Sequence, residues 1–444
     1  RVADMVSELQ DQGLRARLEL PSDRNAQAAL EVTARLRRGG HEAYLVGGCV
    51  RDLLLGVCPK DYDVATAARP DEVSKLFGRV IEVGISFGVV RVVVGRGEAR
   101  REVEVATFRA DEGYQDGRHP SAVRYTSARE DVLRRDFTLN GLLFDPETNA
   151  DGTLERTGQV IDWVGGLADI EAGVLRAIGV PVLRFEEDAL RLLRAVRFAS
   201  RFDLRIEKQT TAAIKRSSSG LQRVSWERVR NELAGALSLS AAAETVVLLG
   251  DLDLADVLFP ELVAADPGLA RGRRRMASLC ERLRAQADSA VRDDGFEPTT
   301  ELSLPLSLAA LLFEMRPSTL AGRKELGRRL KLSNPESRQL GEIWSLSENL
   351  VKQIADVGAQ ALAEQQAEQA LRRPDMVRSL RSALADHAMS LALANALLDE
   401  DDSLVLALRS LAVLRAGATR ALWWPAPWVT GETLTSLGHL PGVG

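Results

Sequence analysis

Two aspartates spaced by one residue, Asp61 and Asp63 in KDYDVAT, are the first residues whose type and spacing point to chemistry. On a strand, alternation turns both to one face. Two carboxylates aimed at one point repel, and the arrangement is easiest to explain with divalent cations, Mg²⁺ by preference, between them and a polyphosphate. Upstream, GGCVRDLLLG at 47–56 reads as a tight glycine turn followed by a short helix. There Gly48 lets the backbone approach phosphate oxygens, and Arg51 can pair with a triphosphate. Two surface aspartates beside a structural turn would give the same pattern. In REVEVATF, Glu102 and Glu104 alternate with Val103 and Val105. If that strand neighbours DYDV, Glu104 is a candidate third carboxylate, and a solvated strand face is the plain alternative. EDVLRRDFTLN at 130–140 places Arg135 for phosphate or sugar, with Asp136 to orient it; a helix cap with exposed arginines also fits.

RFEEDALRLLRAVRFASRF at 184–202 carries the strongest signal. At helical spacing Asp188 and Arg191 lie side by side, and Arg194 and Arg197 continue the ridge. An aspartate acceptor beside an arginine donor matches the edges of cytosine (N4 amino, N3) and adenine (N6 amino, N1). It opposes uracil and guanine, where mismatch leaves polar groups unpaired. One protein site could thus choose CTP and ATP without a nucleic-acid template. A helix laced with i,i+3 and i,i+4 ion pairs has the same spacing.

The elements that must position these residues fall into an α+β order. Residues 1–40 read as a helical extension ending at Gly39-Gly40, and 41–165 as a β-rich unit with short helices at VRDLLLG and PDEVSKLF and a turn at GRGEAR. Beyond 166 the periodicity is helical, with breaks at 217–220, 289–300 and 332–337. The 444 residues, 45% hydrophobic and 27% charged, exclude collagen-like or largely disordered chains. No apolar run reaches the ~20 residues of a membrane span and no signal-peptide order opens the chain, so the cytoplasm is expected. Three cysteines without a C-x-x-C pair support neither a disulfide framework nor structural zinc. A net charge of −5 requires any RNA contact to come from local basic runs. Arg197, Arg201, Arg205, Lys208, Lys215, Arg216 and RGRRR at 271–275 supply them. No Walker A, H-E-x-x-H or His-Asp element is present.

Taken in order, YLVGGCVRDLLLG, KDYDVAT, EVEVATFRADEGYQDGRHP, RRDFTLN, GGLADIEAGVLRAIGVP and RFEEDALRLLRAVRF resemble the class II tRNA nucleotidyltransferase and bacterial poly(A) polymerase family over about 43–240. The resemblance implies a nucleotidyltransferase head (41–165) with a mixed five-stranded sheet, then all-α neck (166–245), body (246–330) and tail (331–444). It implies that Asp61 and Asp63 hold metal, that Gly48, Arg51 and Arg135 bind the nucleotide, and that Asp188 and Arg191 read the base with Arg194 and Arg197 completing the pocket. Residues 109–125 match the family's flexible loop. The implied activity is Mg²⁺-dependent addition of CCA to the tRNA acceptor end from CTP and ATP, with no obligate protein partner. EVGISFGVVRVVV, where poly(A) polymerases usually carry a basic element, favours CCA addition over poly(A) or single-A addition. A non-catalytic RNA-binding relative is the reading of another class. The family normally continues past the Gly-rich end, so the chain reads as truncated.

Overall fold

The structure is a computed structural model that describes residues 14–84, 88–114, 120–288 and 302–345. The polar stretch 289–300 and the tail motif 429–444 lie outside these residues. Two compact units are present, one of residues 1–236 with 247–260 and a second of 237–246 with 261–444.

In the first unit the elements run β1 (Leu14–Glu19), α1 (Arg24–Arg38), β2 (Ala43–Val46), α2 (Gly48–Leu54), β3 (Asp63–Thr66), α3 (Pro70–Leu76), β4 (Val80–Gly84), β5 (Val89–Val94), β6 (Arg101–Thr107), β7 (Arg109–Tyr114), β8 (Pro120–Tyr125), α4 (Ala128–Leu133), β9 (Leu142–Thr148) and β10 (Leu154–Asp162). Eight strands, not the five expected, form one sheet in the order β1-β10-β9-β2-β3-β6-β5-β4. The described neighbours are antiparallel except β3 and β6, which run parallel. The difference lies partly in β1. Residues 14–19 were expected to be helical, but LRARLE alternates with period two, exposing Arg15, Arg17 and Glu19, and pairs along the free edge of β10.

α1 begins where the Asp23 carboxylate accepts from the Asn25 and Ala26 amides, and it ends at Gly39. Its face of Ala26, Ala29, Leu30, Val32 and Leu36 packs with Leu45, Val64, Val90, Val92, Val103 and Val105 from one side of the sheet. Each fully buried Leu or Val there contributes about 1.5–3 kcal/mol. On the other side Val46, Ala65, Phe108 and Leu143 pack with Ala128 and Val132 of α4. α4 covers only part of that face.

After β10 come α5 (Gly166–Glu171), β11 (Val174–Leu175), α6 (Pro181–Glu187), α7 (Leu190–Phe202), β12 (Arg205–Ile206), α8 (Lys208–Ser217) and α9 (Trp226–Ala236). Among the described residues beyond 166 the elements are helical except for β11 and β12, a two-residue parallel ladder. In the second unit, α10 (Ala270–Asp288), α11 (Leu304–Leu311) and α12 (Leu320–Arg329) precede a helix at 334–345, whose buried Trp344 donates to the Ala309 carbonyl at 2.9 Å.

Candidate active site

β2 ends at Val46, opposite Asp63 in the antiparallel ladder, and the chain then turns through Gly47 into α2. Gly47 has φ of 71°, a conformation that favours glycine, and a Cβ there would stand 3.0 Å from the Arg135 guanidinium. Across the sheet Val64 pairs with Val105; the same register continued by one residue sets Asp63 beside Glu104. Burial, then the charges of Glu104 and Asp61, push the Asp63 carboxyl up to about 6, against the opposing pull of Arg135. β3 begins only at Asp63, so Asp61 precedes the strand and is exposed rather than sharing its pleat. The oxygen donors of Asp61 and Asp63 suit a hard divalent cation, and a cation would relieve the crowding that raises Asp63. Among the described residues no three His, Cys, Asp or Glu side chains are grouped closely enough to hold a metal. Glu104 lies close enough to Asp63 for its charge to raise that carboxyl.

A cleft of about 570 Å³ opens over this end of the sheet. It is lined by Gly48, Arg51, Asp63, Glu104, Arg135, Asp188, Arg191, Arg194 and Arg197, which the sequence singled out, and also by Arg109, Arg134, Asp136, Asn140, Phe198 and Arg228. Asp61 lines a neighbouring cleft instead. Eight arginines face four carboxylates in the cleft that Asp63 lines, a surplus that suits a polyphosphate.

Most of these arginines are held in place by partners that sequence reasoning missed. Arg51 is buried, donating to Asp52 at 2.8 Å and to the Asn140 side-chain oxygen at 2.7 Å, with its guanidinium 4.9 Å from both the Phe198 and Phe202 rings. Burial lowers its pKa while the Asp52 charge opposes that. Asp131, buried in α4, accepts from Arg134 at 2.7 Å and Arg135 at 3.0 Å, and these two cations hold its carboxyl low although burial raises it. Asp136 was noted as an orienting residue. Burial raises its carboxyl, but the ion pair with Arg194 at 2.6 Å and the Asn140 hydrogen bond outweigh that and hold it at about 2. Glu232 accepts from Arg197 at 2.6 Å. The spacing of Asp131 from Arg134 and Arg135 was the one available signal; Glu232 and Arg228 come from α9, more than thirty residues from their partners, and carry none.

The base-reading pair needs correction. The helix expected over 184–202 breaks at Asp188, whose φ of −150° and ψ of 103° separate α6 from α7. Asp188 lies outside α7, and although the Arg191 amide donates to the Asp188 carbonyl at 3.1 Å, their side chains take different partners. The Asp188 carboxylate accepts from the Leu190 amide at 3.1 Å and from Arg228 at 2.7 Å. Arg191 donates to Glu187 at 2.6 Å and to the main-chain carbonyls of Arg184 and Arg134. Each is therefore fixed separately, and both still face the cleft.

Two further expectations change. Segment 109–125 forms an antiparallel ribbon, β7 with β8, in place of an open loop; its tip, 115–119, lies outside the described residues. In RGRRR, Arg275 is wholly buried, donating to the Ala310 carbonyl at 3.0 Å and Glu314 at 2.8 Å, so it braces the second unit and cannot meet RNA.

Residues 43–176 match the model of the poly A polymerase head domain, and 203–266 match that of a probable RNA and SrmB-binding site of polymerase A. The chain is 34% identical over 333 residues to a CCA-adding enzyme of Lactobacillus johnsonii, covering 75% of this chain and 71% of that one. With the CCA-adding enzyme of Lactiplantibacillus plantarum it shares 44% identity over 215 residues, about half the length of that relative. The crystal structure of the Bacillus stearothermophilus CCA-adding enzyme in complex with CTP superposes with a TM-score of 0.58 at 28% identity, covering 94% of this chain and 89% of that one. Nucleotidyltransferases of this kind generally work with a divalent metal. With the sheet, the arginine-lined cleft and these likenesses together, the chain belongs to the CCA-adding enzyme family of tRNA nucleotidyltransferases.

Proposed function

We propose that this chain adds the 3'-terminal CCA to tRNA from CTP and ATP, releasing pyrophosphate, with Mg²⁺ as the metal. The observation that carries the reading is the convergence in one 570 Å³ cleft of Asp63 from β3, Arg135 after α4, and Asp188 with Arg191 at the α6–α7 break. A triphosphate would lie along Gly48, Arg51 and Arg135, where the α2 turn admits phosphate oxygens and the cationic surplus neutralises them. Its base would meet Asp188 and Arg191. Held in separate orientations by Arg228 and by Glu187, these two present an acceptor and a donor without rearranging, which suits cytosine and adenine edges alike. Arg194 and Arg197, braced on Asp136 and Glu232, close the pocket. Asp61 and Asp63 would hold Mg²⁺, whose chemistry is charge neutralisation at the phosphates and a lowered pKa for the attacking hydroxyl. Glu104, beside Asp63, keeps that corner negative and so attractive to the cation. The remaining work is positioning of the reactants, which accounts for much of the rate in such a transfer.

In this reading 41–165 is the head, 166–245 the neck, 246–330 the body and 331–444 the tail, and the protein acts in the cytoplasm. Among the described residues no helix is long and apolar enough to cross a membrane.

The test offers Mg²⁺, CTP and ATP, separately and together, to three tRNA transcripts ending before the first C, after CC and after CCA. Products that stop at CCA on all three are expected. Adenosine added only to the CC end would mean an A-adding specialist, long A tails a poly(A) polymerase, and RNA binding without any transfer a non-catalytic relative; each result would overturn the reading.

A further inference from the structure

The two aspartates of KDYDVAT are not positioned alike. Asp63 opens β3 and stands opposite Val46 in the β2 ladder, so sheet pairing fixes its backbone. Asp61 lies ahead of the strand, where the ladder has ended, and is exposed. Something other than the sheet must set where its carboxylate stands relative to that of Asp63.

Tyr62, the residue between them, turns away from the nucleotide cleft. It is 4% exposed and belongs to the same core cluster as Ala26, Ala29, Val50 and Val64. Its hydroxyl donates to one oxygen of the Asp23 carboxylate at 2.9 Å. The other oxygen of Asp23 accepts from the Asn25 and Ala26 amides at 2.8 and 2.9 Å, the bonds that start α1. One carboxylate thus caps the helix and holds the tyrosine. On the other side of Asp61, the Asn25 side-chain amide donates to the Lys60 carbonyl at 3.3 Å. The start of α1 therefore grips residues 60 and 62 and leaves Asp61 between two held neighbours. α1 is itself anchored along its length by the buried Ala26, Ala29, Leu30, Val32 and Leu36, so the grip rests on a rigid element.

Resting on the reading in which Asp61 and Asp63 hold the metal, we propose that Tyr62 and Asp23 are positioning residues for that site, fixing Asp61 through the N-terminus of α1. Neither touches the cation or the reacting atoms. Their contribution is to order the segment beforehand. With residues 60–62 loose, a cation would have to immobilise Asp61 as it bound, and that entropy would be subtracted from its affinity. Hydrogen bonds behind a metal ligand commonly tune a site in this way.

The experiment measures Mn²⁺ binding to the full chain from the free-ion signal in electron paramagnetic resonance, without nucleotide and well below the melting temperature. Tyr62→Phe removes the hydroxyl and keeps the ring. Asp23→Ser keeps a helix cap but has no second oxygen for Tyr62. Each is expected to weaken Mn²⁺ binding about fivefold, the scale of one net hydrogen bond. The double variant should lose no more than either single one, because both break the same link. CTP affinity in EDTA, read by calorimetry, stays as in the parent. Leu36→Val, buried near the far end of α1, should lower the melting temperature without moving Mn²⁺ affinity, which separates positioning from mere stability. Parent-like Mn²⁺ affinity in both single variants, a double loss equal to the product of the two, or an equal loss in Leu36→Val would overturn the assignment. Asp61→Asn, run alongside, distinguishes the two readings. If it binds Mn²⁺ as the parent does, the metal reading falls and the positioning role with it; if it is weakened while Tyr62→Phe is unchanged, only the positioning role falls.

Discussion

Replacing Asp63 by asparagine should stabilise the metal-free protein while abolishing nucleotide transfer. The carboxyl is lifted from its ordinary 3.8 to about 6 by burial and by Glu104 and Asp61, so its ionised form is penalised in the native state. At about 1.4 kcal/mol for each tenfold, that amounts to about 3 kcal/mol at neutral pH, trimmed to about 2 by solvent at the cleft mouth. The sign follows from proton linkage. Between about pH 4 and pH 6 the native state holds more protons at this site than the unfolded chain, so its stability falls as pH rises through that window and levels off above it. An amide of the same shape escapes the loss. Melting in EDTA should therefore show Asp63→Asn gaining about 4–8 °C at pH 7.5, at about 2–4 °C per kcal/mol for a unit of this size, and about half that at pH 5. Excess divalent cation should raise the parent's melting temperature but not the variant's. A variant no more stable than the parent, or a gain equal at pH 5 and pH 7.5, would refute the crowding argument.

Three other outcomes follow from single contacts. Asp136→Ala leaves the half-buried Arg194 without its 2.6 Å partner, with Glu232 at 3.8 Å; a loss of about 1.5–3 kcal/mol in urea unfolding is expected, with weakened CTP binding. Arg275→Ala removes the buried partner of Glu314 and should cost about 3–5 kcal/mol in urea unfolding, yet leave the CTP affinity of the cleft in the first unit unchanged. Asp188→Ala removes the acceptor of the base-reading pair while leaving Arg191 anchored on Glu187, so the preference for CTP over UTP in single-nucleotide addition should fall by at least about tenfold; retained preference would move base reading elsewhere.

How far the site can be read from residues alone depends on where the partner of each residue lies along the chain. Asp61 with Asp63, Gly48 with Arg51, and Asp131 with Arg134 and Arg135 are local, and their spacing carries the signal. The alternation that buries Val103 and Val105 while leaving Glu104 open is local too, and it holds. The eight-stranded sheet was not legible, because β1 is six residues whose pairing with β10 spans more than a hundred positions, and nothing in its own alternation says which edge it will cover. The break at Asp188 was hidden by its neighbours. RFEEDALRLLRAVRF has helical periodicity on both sides, and an aspartate within it reads as one more helical residue. What defeats the helix is tertiary: the carboxylate is held by Arg228, forty residues away, and by the Leu190 amide, so Asp188 serves as the start signal of a new helix instead of continuing the old one. In the proposed function that break has a consequence. On a continuous helix Asp188 and Arg191 would be set to pair with each other at i,i+3. Separated and anchored on different partners, they would offer an acceptor and a donor at the same time, as the proposed discrimination of cytosine and adenine from uracil and guanine requires.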